Sequence, residues 1–469
     1  MPSPQFIGLN TRYLTADGES RTRIHMDGAA SPLASEVALQ TIKQLLPHYS
    51  NAHSYVHSSA QISTKALEWA HSQILNCLGA DETDYTAIFA GAGTTAGINR
   101  IARGLAAARP ERKIVLVSAM EHHANDLPHR QFGNQIHYIP LRHNGDQQGC
   151  IDLQETEALL IKYQGQVNYL AFTGVSNVTG IVNPSLEITR LAHKYDTLVL
   201  VDGAQSVAHC ATHLSHDDAA SEIDIFVFSG HKLYTPTAPG VLVAKKQLLA
   251  SLTGQDLGGG SVADVSYYDY QLLNEFPHKE QSGTPNIVGA IALARVMQSL
   301  HQYGFKKIEH HAKQLGLELF DALSSLSFIQ VYGDPSQHRI GAISFNHTGI
   351  DHGLLAAILN DYYAIAVRNQ CFCAHPYVSS MLKETLWQMD LSDIADDQHE
   401  MLINAKRGMV RVSISLYNTS ADIEALIRAL NEISHNIEKY QEHYQAQQDG
   451  SYQHKTFKID WLEQLGWQV

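Results

Sequence analysis

Between Thr86 and Lys245 the chain repeats one pattern: a short, almost wholly apolar run followed by a segment of helical period. The apolar runs are Thr86–Phe89, Lys113–Val117, Asn168–Phe172, Thr197–Val201, Asp224–Phe228 and Gly240–Val243. Short runs that do not alternate with polar residues suit strands buried on both faces. Between two of them, Ser185 to Tyr195 sets Leu186, Ile188, Leu191 and Ala192 on one helical face. Strands separated by helices make βαβ units, so the expectation is an α/β fold with a mostly parallel sheet covered on both sides. Such a sheet binds ligands at the carboxyl ends of its strands. The residues that follow each run are therefore the first place to look for chemistry.

After about Val288 the pattern changes. A long helix is expected over Ile287–Tyr303, then strands at Ile340–Phe345 and Met409–Ile414, then a helix from Ala421. Thr419 can cap that last helix, with Asp422 three residues on, and Ile423, Leu426, Ile427 and Leu430 share one face. The expected organisation is an N-terminal segment (1–25) packing with a smaller domain, a large domain (26–290), the smaller α/β domain (291–434) and a C-terminal extension (435–469). The extension is rich in Gln, Tyr and His and reads as a helical continuation or a surface arm. Hydrophobic residues make up 44 % of the 469, enough for a large core.

The net charge of −14 disfavours a general nucleic-acid or anionic-membrane surface. No run approaches the ~20 apolar residues of a membrane span. The N-terminal residues do not read as a signal peptide. Five cysteines (Cys77, Cys150, Cys210, Cys371 and Cys373) are too sparse for a disulfide framework, and a cytoplasmic setting is expected.

Two motifs sit at strand ends. Asp202-Gly-Ala-Gln205 follows Thr197–Val201, and Ser229-Gly-His231-Lys232 follows Asp224–Phe228. A lysine and a carboxylate at the mouths of two strands fit the needs of pyridoxal 5′-phosphate (PLP). The lysine forms an imine, and the carboxylate keeps the pyridine nitrogen protonated. Either alone reads as a turn or surface residue; their conjunction with Gln205 and His231 carries the signal. A third motif, Gly91-Ala-Gly-Thr-Thr95, opens a helix, where free N–H groups and hydroxyls can hold a phosphate. A fourth, Met120-Glu-His-His-Ala-Asn125, places His122 and His123 after a strand. Two adjacent histidines without a carboxylate or cysteine at ligand spacing do not indicate a metal.

The stretch Val201–Val243 resembles class V aminotransferases of the fold-type I PLP superfamily, and within them it is most similar to cysteine desulfurases and selenocysteine lyases. The resemblance runs from Met26-Asp-Gly-Ala-Ala30 to Arg411-Val-Ser-Ile-Ser-Leu-Tyr-Asn418. It implies that Lys232 is the Schiff-base lysine, that Asp202 pairs with the pyridine nitrogen and that Gln205 contacts the ring hydroxyl. Gly93, Thr94, Thr95, Ser229 and His231 then fall on the phosphate, and His122 stacks on the ring and takes part in proton transfer. Asn177, in Val175-Ser-Asn-Val-Thr-Gly180, matches an asparagine near the ring hydroxyl and the substrate. Thr284, in Gly283-Thr284-Pro285, matches a threonine that reaches a phosphate across a dimer interface, which implies a homodimer.

Val367-Arg-Asn-Gln-Cys-Phe-Cys-Ala-His-Pro376 resembles the segment that separates reactions within the superfamily. By that resemblance Arg368 clamps the substrate carboxylate and Cys373 is the sulfur-accepting nucleophile. Asn369 and Gln370 depart from the usual threonine and glycine, and Cys371 is an additional thiol that reads as a resolving or shadow nucleophile. The expected activity is PLP-dependent removal of sulfur from L-cysteine, or selenium from selenocysteine, leaving alanine and a persulfide for a sulfur-acceptor protein or reductant. The alternatives are another class V reaction (aminotransferase, C–S β-lyase or epimerase) and a non-enzymatic scaffold or sulfur-transfer partner.

Overall fold

The computed structural model describes residues 3–253, 256–383, 407–447 and 449–467. Each of the six apolar runs falls on a strand, with Lys113, Thr197 and Asp224 lying one residue before theirs. The main sheet contains β1 (Tyr85–Ala90), β2 (Ile114–Ser118), β3 (Gln135–Ile139), β4 (Val167–Thr173), β5 (Leu198–Asp202), β6 (Ile225–Ser229) and β7 (Gly240–Lys245). Their order across the sheet is β1-β7-β6-β5-β4-β2-β3. Only β7 runs antiparallel to its neighbours; the remaining pairs are parallel. β3 lies outside the sequence expectation. Its Gln-Ile-His-Tyr-Ile run is half polar because, at this uncovered edge of the sheet, four of its five residues are exposed or half-buried.

Helices cover both faces of this sheet: α1 (Glu36–Leu45), α2 (Ser58–Cys77), α3 (Gly93–Ala108), α4 (Ser185–Lys194) and α5 (Ile287–Tyr303). Consecutive strand residues feed opposite cores, as the alternation of side chains along a strand requires. Ile88, Val227 and Leu242 pack with Ile98, Ile101 and Leu105 of α3. Their neighbours Phe89, Phe228 and Val243 pack with Leu67 and Ile74 of α2 and Leu293 of α5. That is why the strands read as unbroken apolar runs.

The later part of the chain forms α6 (Phe305–Ser324), β8 (Ile329–Val331), β9 (Ala342–His347), α7 (His352–Tyr363), β10 (Arg368–Gln370), α8 (His375–Met381), β11 (Met409–Ser413) and α9 (Ser420–His435). Its four strands pair antiparallel in the order β8-β9-β11-β10. One face buries Leu319, Leu355, Ile358, Leu426 and Leu430 in a separate core. The Thr419–Asp422 capping box opens α9, with the Thr419 N–H donating to Asp422 Oδ2 at 3.0 Å. β9 begins two residues later than the sequence suggests. The Ile340 N–H turns instead to the Gly180 carbonyl at 2.8 Å, and Gly341 is left-handed.

Beyond α9 the chain forms a short helix, Ile437–Gln441, and a hairpin of Tyr444–Ala446 and Tyr452–His454. Both fold back on α7 through polar tips. The Tyr363 and Tyr440 hydroxyls lie 2.7 Å apart, Tyr444 donates to Asp361 at 2.9 Å, and Tyr362 meets His454 Nε2 at 3.0 Å. The tyrosines and histidines of the extension are therefore packing groups. No helix among the described residues is long and apolar enough to cross a membrane.

The two sheets meet where the loop after β4 runs under the start of β9. Gly180 has φ +69°, and a Cβ there would lie 2.3 Å from the Ala342 carbonyl oxygen and 2.5 Å from that of Ile340. Both obstacles are backbone, so neither can yield cheaply. Gly180→Ala should destabilise the protein by about 3 kcal/mol, read as a lowered urea midpoint. An unchanged midpoint would mean that the sheets are not in contact through this loop.

Candidate active site

The parallel register brings the ends of β2, β4, β5 and β6 to one edge, with Asp202 opposite Thr173 on one side and Val227 on the other. A cavity of about 620 Å³ opens between this edge and the second sheet. Its lining includes Gly93, Thr94, Thr95, His122, Asn177, Ser229, His231, Lys232, Arg368 and Cys373. Ten of the residues singled out in the sequence thus share one space, although they span 281 positions (373 minus 93, plus one).

One end of the cavity is a backbone cradle. Gly93 opens α3 with φ +59°, and a Cβ there would fall 2.6 Å from Ser229 Oγ. Ser229 Oγ accepts from the Thr94 N–H at 2.9 Å. A glycine is required where α3 and the end of β6 come this close, and Thr94, Thr95 and Ser229 line the cavity beside it. Lys232 leaves the short helical turn Gly230–Lys232 just after β6. Burial lowers its pKa, Asp202 pulls the other way, and the Arg411 guanidinium lowers it further.

Asp202 is buried behind the cavity lining, where Oδ1 accepts from the Ala204 N–H at 2.9 Å. Burial raises its carboxyl pKa, against that hydrogen bond and the charge of Lys232. Gln205 is also buried and donates to the Ala29 carbonyl at 2.8 Å, fixing a residue that lines the cavity. Thr284 is exposed and outside the cavity, in a turn where the Gly283 N–H donates to the Gly259 carbonyl at 2.7 Å. Within one chain it touches none of the other site residues.

His122 caps the short helix His123–Asn125, its Nδ1 accepting from the Ala124 N–H at 3.0 Å. Burial, then the charges of Lys232, His123 and Arg411, lowers its pKa to about 3. Glu121 anchors this turn from behind. It accepts from the Ser118 hydroxyl, the Asn125 amide at 2.6 Å and the Thr173 N–H at 2.8 Å, while burial pushes its carboxyl up to about 8.

The opposite wall comes from β10, β11 and the turn that follows β10. Arg368 and Arg411 are directly opposed across β10 and β11, so both present to one face. Arg411 is buried. Its Nη2 pairs with Asp27 at 3.1 Å, Nη1 donates to the Asn177 carbonyl at 2.9 Å, and the guanidinium lies 4.7 Å over the Phe372 ring. Sequence reasoning missed its role in the site. The available signal was a lone arginine inside an apolar strand, with Val410 and Val412 on the core side and Arg411 on the other. The Asn177 side chain donates to the Phe372 carbonyl at 2.9 Å.

Cys371 to Ala374 form a tight turn closed by Ala374 N–H to Cys371 C=O at 2.8 Å. Phe372 (φ +52°) and Cys373 (φ +55°) are both left-handed, as at the centre of a type I′ turn, and Gln370 just before has φ +82°. For non-glycine residues this region costs roughly 1–2 kcal/mol each. The turn gives the two thiols different surroundings. Cys371 is buried and donates to the Arg407 carbonyl at 3.3 Å, and burial raises its pKa to about 11. Cys373 is exposed to the cavity.

Because its pKa is depressed, the His122 ring is neutral in the folded protein over the whole range in which an unfolded histidine titrates. Unfolding then takes up a proton below pH 6.5, so this group's stabilisation is present above 6.5 and is lost as pH falls toward 3. Histidine NMR spectra, assigned by loss of a signal in His122→Gln, should show no His122 titration between pH 8 and pH 5. A midpoint near 6.5 would contradict the buried placement.

Comparison with known proteins agrees with this geometry. The family model described as "Aminotransferase class-V" matches residues 24–426. A probable cysteine desulfurase from Halalkalibacterium halodurans is 32 % identical over 413 residues, covering 87 % of this chain and 92 % of that protein. A cysteine desulfurase from Klebsiella pneumoniae is 31 % identical over 416 residues, covering 87 % and 93 %. Among solved structures, the apo cysteine desulfurase from Thermococcus onnurineus has a TM-score of 0.75 at 26 % identity, over 88 % of this chain and 94 % of that one. The cysteine desulfurase CsdA from Escherichia coli has a TM-score of 0.72 at 27 % identity, over 88 % and 95 %. With a match spanning both sheets and the cavity between them, the chain belongs to the class-V aminotransferase family of fold-type I enzymes.

Proposed function

We propose that the chain is a cysteine desulfurase that uses PLP to take sulfur from L-cysteine, or selenium from selenocysteine, and releases alanine. The observation that carries this reading is the sharing of one cavity by Lys232, the Gly93–Thr95 mouth of α3, two guanidinium groups and the exposed thiol of Cys373. The residues fit PLP: Gly93 has no room for a side chain against Ser229, which leaves the cradle at the mouth of α3 open. Gly93, Thr94, Thr95, Ser229 and His231 would hold its phosphate, Lys232 its aldehyde carbon, and Asp202 its pyridine nitrogen. Gln205 and Asn177 would lie toward the ring hydroxyl, and His122 against the ring face. Bound there, PLP supplies an electron sink for charge that develops at the substrate Cα.

The chain's own groups do the rest. Arg368 and Arg411 hold the substrate carboxylate, for which a pair of guanidinium groups is well matched. Lys232 Nζ, its pKa lowered by burial, can be neutral when it takes the Cα proton. The uncharged His122 adds no competing positive charge beside it. Cys373 Sγ, as a thiolate, attacks the substrate sulfur. The Sγ–S bond forms, the Cβ–S bond breaks, and its electron pair returns to the substrate carbon, which is protonated to give alanine. The persulfide then passes to an acceptor protein or a small-molecule reductant. Gln370 takes a positive φ of +82°, a conformation glycine adopts freely, so its departure from glycine leaves the backbone path of this segment intact.

We read the active unit as a cytoplasmic homodimer. Thr284 is exposed, and the nearby hairpin of Val262–Val265 and Tyr270–Leu272 holds out Tyr267 and Tyr268, fully solvent-accessible in the single chain. A second copy covering that face would bring Thr284 to its partner's phosphate end.

Purified protein supplied with PLP and L-cysteine should release alanine and sulfide. Cys373→Ala should lower sulfide release by about a hundredfold or more, and Cys371→Ala should stay within about twofold of wild type. Lys232→Ala should retain no covalently attached cofactor after borohydride reduction. Wild-type protein that makes no alanine would overturn the desulfurase reading, and full activity in Cys373→Ala would overturn the role of that thiol.

A further inference from the structure

The turn that carries Cys373 is held from outside itself at three points. The Asn177 amide donates to the Phe372 carbonyl at 2.9 Å, and the His123 N–H donates to the Cys373 carbonyl at 2.7 Å. The third point is a histidine pair. His375 Nδ1 lies 3.0 Å from His123 Nε2, and the His375 N–H donates to the same Nε2 at 3.3 Å. The rings stack at a centroid distance of 4.8 Å and an interplanar angle of 10°.

His123 therefore grips the turn twice. Its backbone N–H takes the carbonyl of Cys373, and its ring takes both donors of His375, two residues further on. Ala374 is bracketed between them. Because Nε2 accepts from the His375 N–H, it carries no proton in this arrangement. The 3.0 Å approach of His375 Nδ1 is a hydrogen bond that shares the same lone pair, with the His375 proton on Nδ1. A backbone with left-handed Phe372 and Cys373 persists only if its surroundings over-determine it. His123 comes from the turn after β2 and His375 from the start of α8, so the bracket ties the nucleophile to the main sheet.

We propose that His123 and His375 form a latch that holds the Cys373 turn in its left-handed conformation and so presents the thiol to the substrate sulfur. Both are positioning residues. The catalytic consequence rests on the desulfurase reading above, but the latch itself does not. Protonation of His123 would turn its Nε2 into a donor facing two donors and open the bracket. The charged and titratable groups around its ring are His375 from α8, Asp126 and Arg130 from the following turns, and His122 beside it. Asp126 is already paired with Arg130 at 2.6 Å, so it offers His123 little compensation for a proton.

The test compares His375→Ala, His375→Gln, His123→Ala and His123→Gln with wild type as holoprotein. Three measurements are needed: hydrogen exchange across residues 370–378, the alkylation rate of Cys373 by iodoacetamide, and kcat and KM for alanine release. In both alanine variants, exchange of the turn should accelerate about tenfold and the alkylation rate should change. In the same variants kcat should fall about tenfold with KM within twofold. His375→Gln keeps a donor and should recover most of kcat. His123→Gln keeps an acceptor that cannot be protonated, so it should hold its activity to lower pH than wild type.

Exchange and alkylation within twofold of wild type in both alanine variants would overturn the latch. So would a raised KM at unchanged kcat, which would make the pair a substrate contact instead. If wild type itself releases no alanine, the desulfurase reading falls, and the latch is then decided by exchange and alkylation alone.

Discussion

A guanidinium buried between two sheets has to be paired, and the pairing of Arg411 shapes the site. Leaving a buried charge without its partner costs several kcal/mol, so its contacts are made together or not at all. Arg411 reaches Asp27 just after the N-terminal segment, the Asn177 carbonyl in the loop after β4, and the Phe372 ring in the turn that carries Cys373. One side chain of the second sheet thereby sets the distance between that sheet, the main sheet and the cysteine-bearing turn. It also fixes the sign of the cavity. Arg368, Arg411 and Lys232 line it together, which suits a ligand carrying both a phosphate and a carboxylate.

Electrostatics then divides the labour among similar residues. Two histidines are adjacent in sequence, yet His122 faces the cavity as a neutral ring and His123 turns away to meet His375. Two cysteines are two residues apart, yet Cys371 is sealed as a thiol against a carbonyl and Cys373 is open to the cavity. A left-handed Phe372 produces the second difference, because it sends the side chains on either side of it into different surroundings. Environment, more than residue type, distinguishes the two thiols.

The parts of this architecture legible in the sequence follow from burial. Strands covered on both faces read as apolar runs, so six of the seven strands of the main sheet were visible, and the residues after them were natural candidates. β3 was not, because four of its five residues are exposed or half-buried and the run loses the apolar signature; β1, also at an edge, is buried and keeps it. The capping box of α9 was legible because it is local. Arg411 was passed over because its ion-pair partner, Asp27, is 384 positions away in the chain. The histidine latch was equally hidden: both residues sit in motifs read from the sequence, but they lie 252 residues apart and nothing local pairs them. Thr284 matched a family position in sequence, and in the single chain it is exposed, away from the cavity.

The account turns on where the sulfur goes. The most direct measurement is peptide mass mapping of the PLP-loaded protein after brief exposure to limiting L-cysteine without added reductant, with thiols trapped on quenching. The mass of one extra sulfur atom should appear on the peptide carrying residues 371–373, and fragmentation should assign it to Cys373. An added sulfur on Cys371 instead, or alanine formed with no sulfur added to either thiol, would contradict the proposed role of this turn.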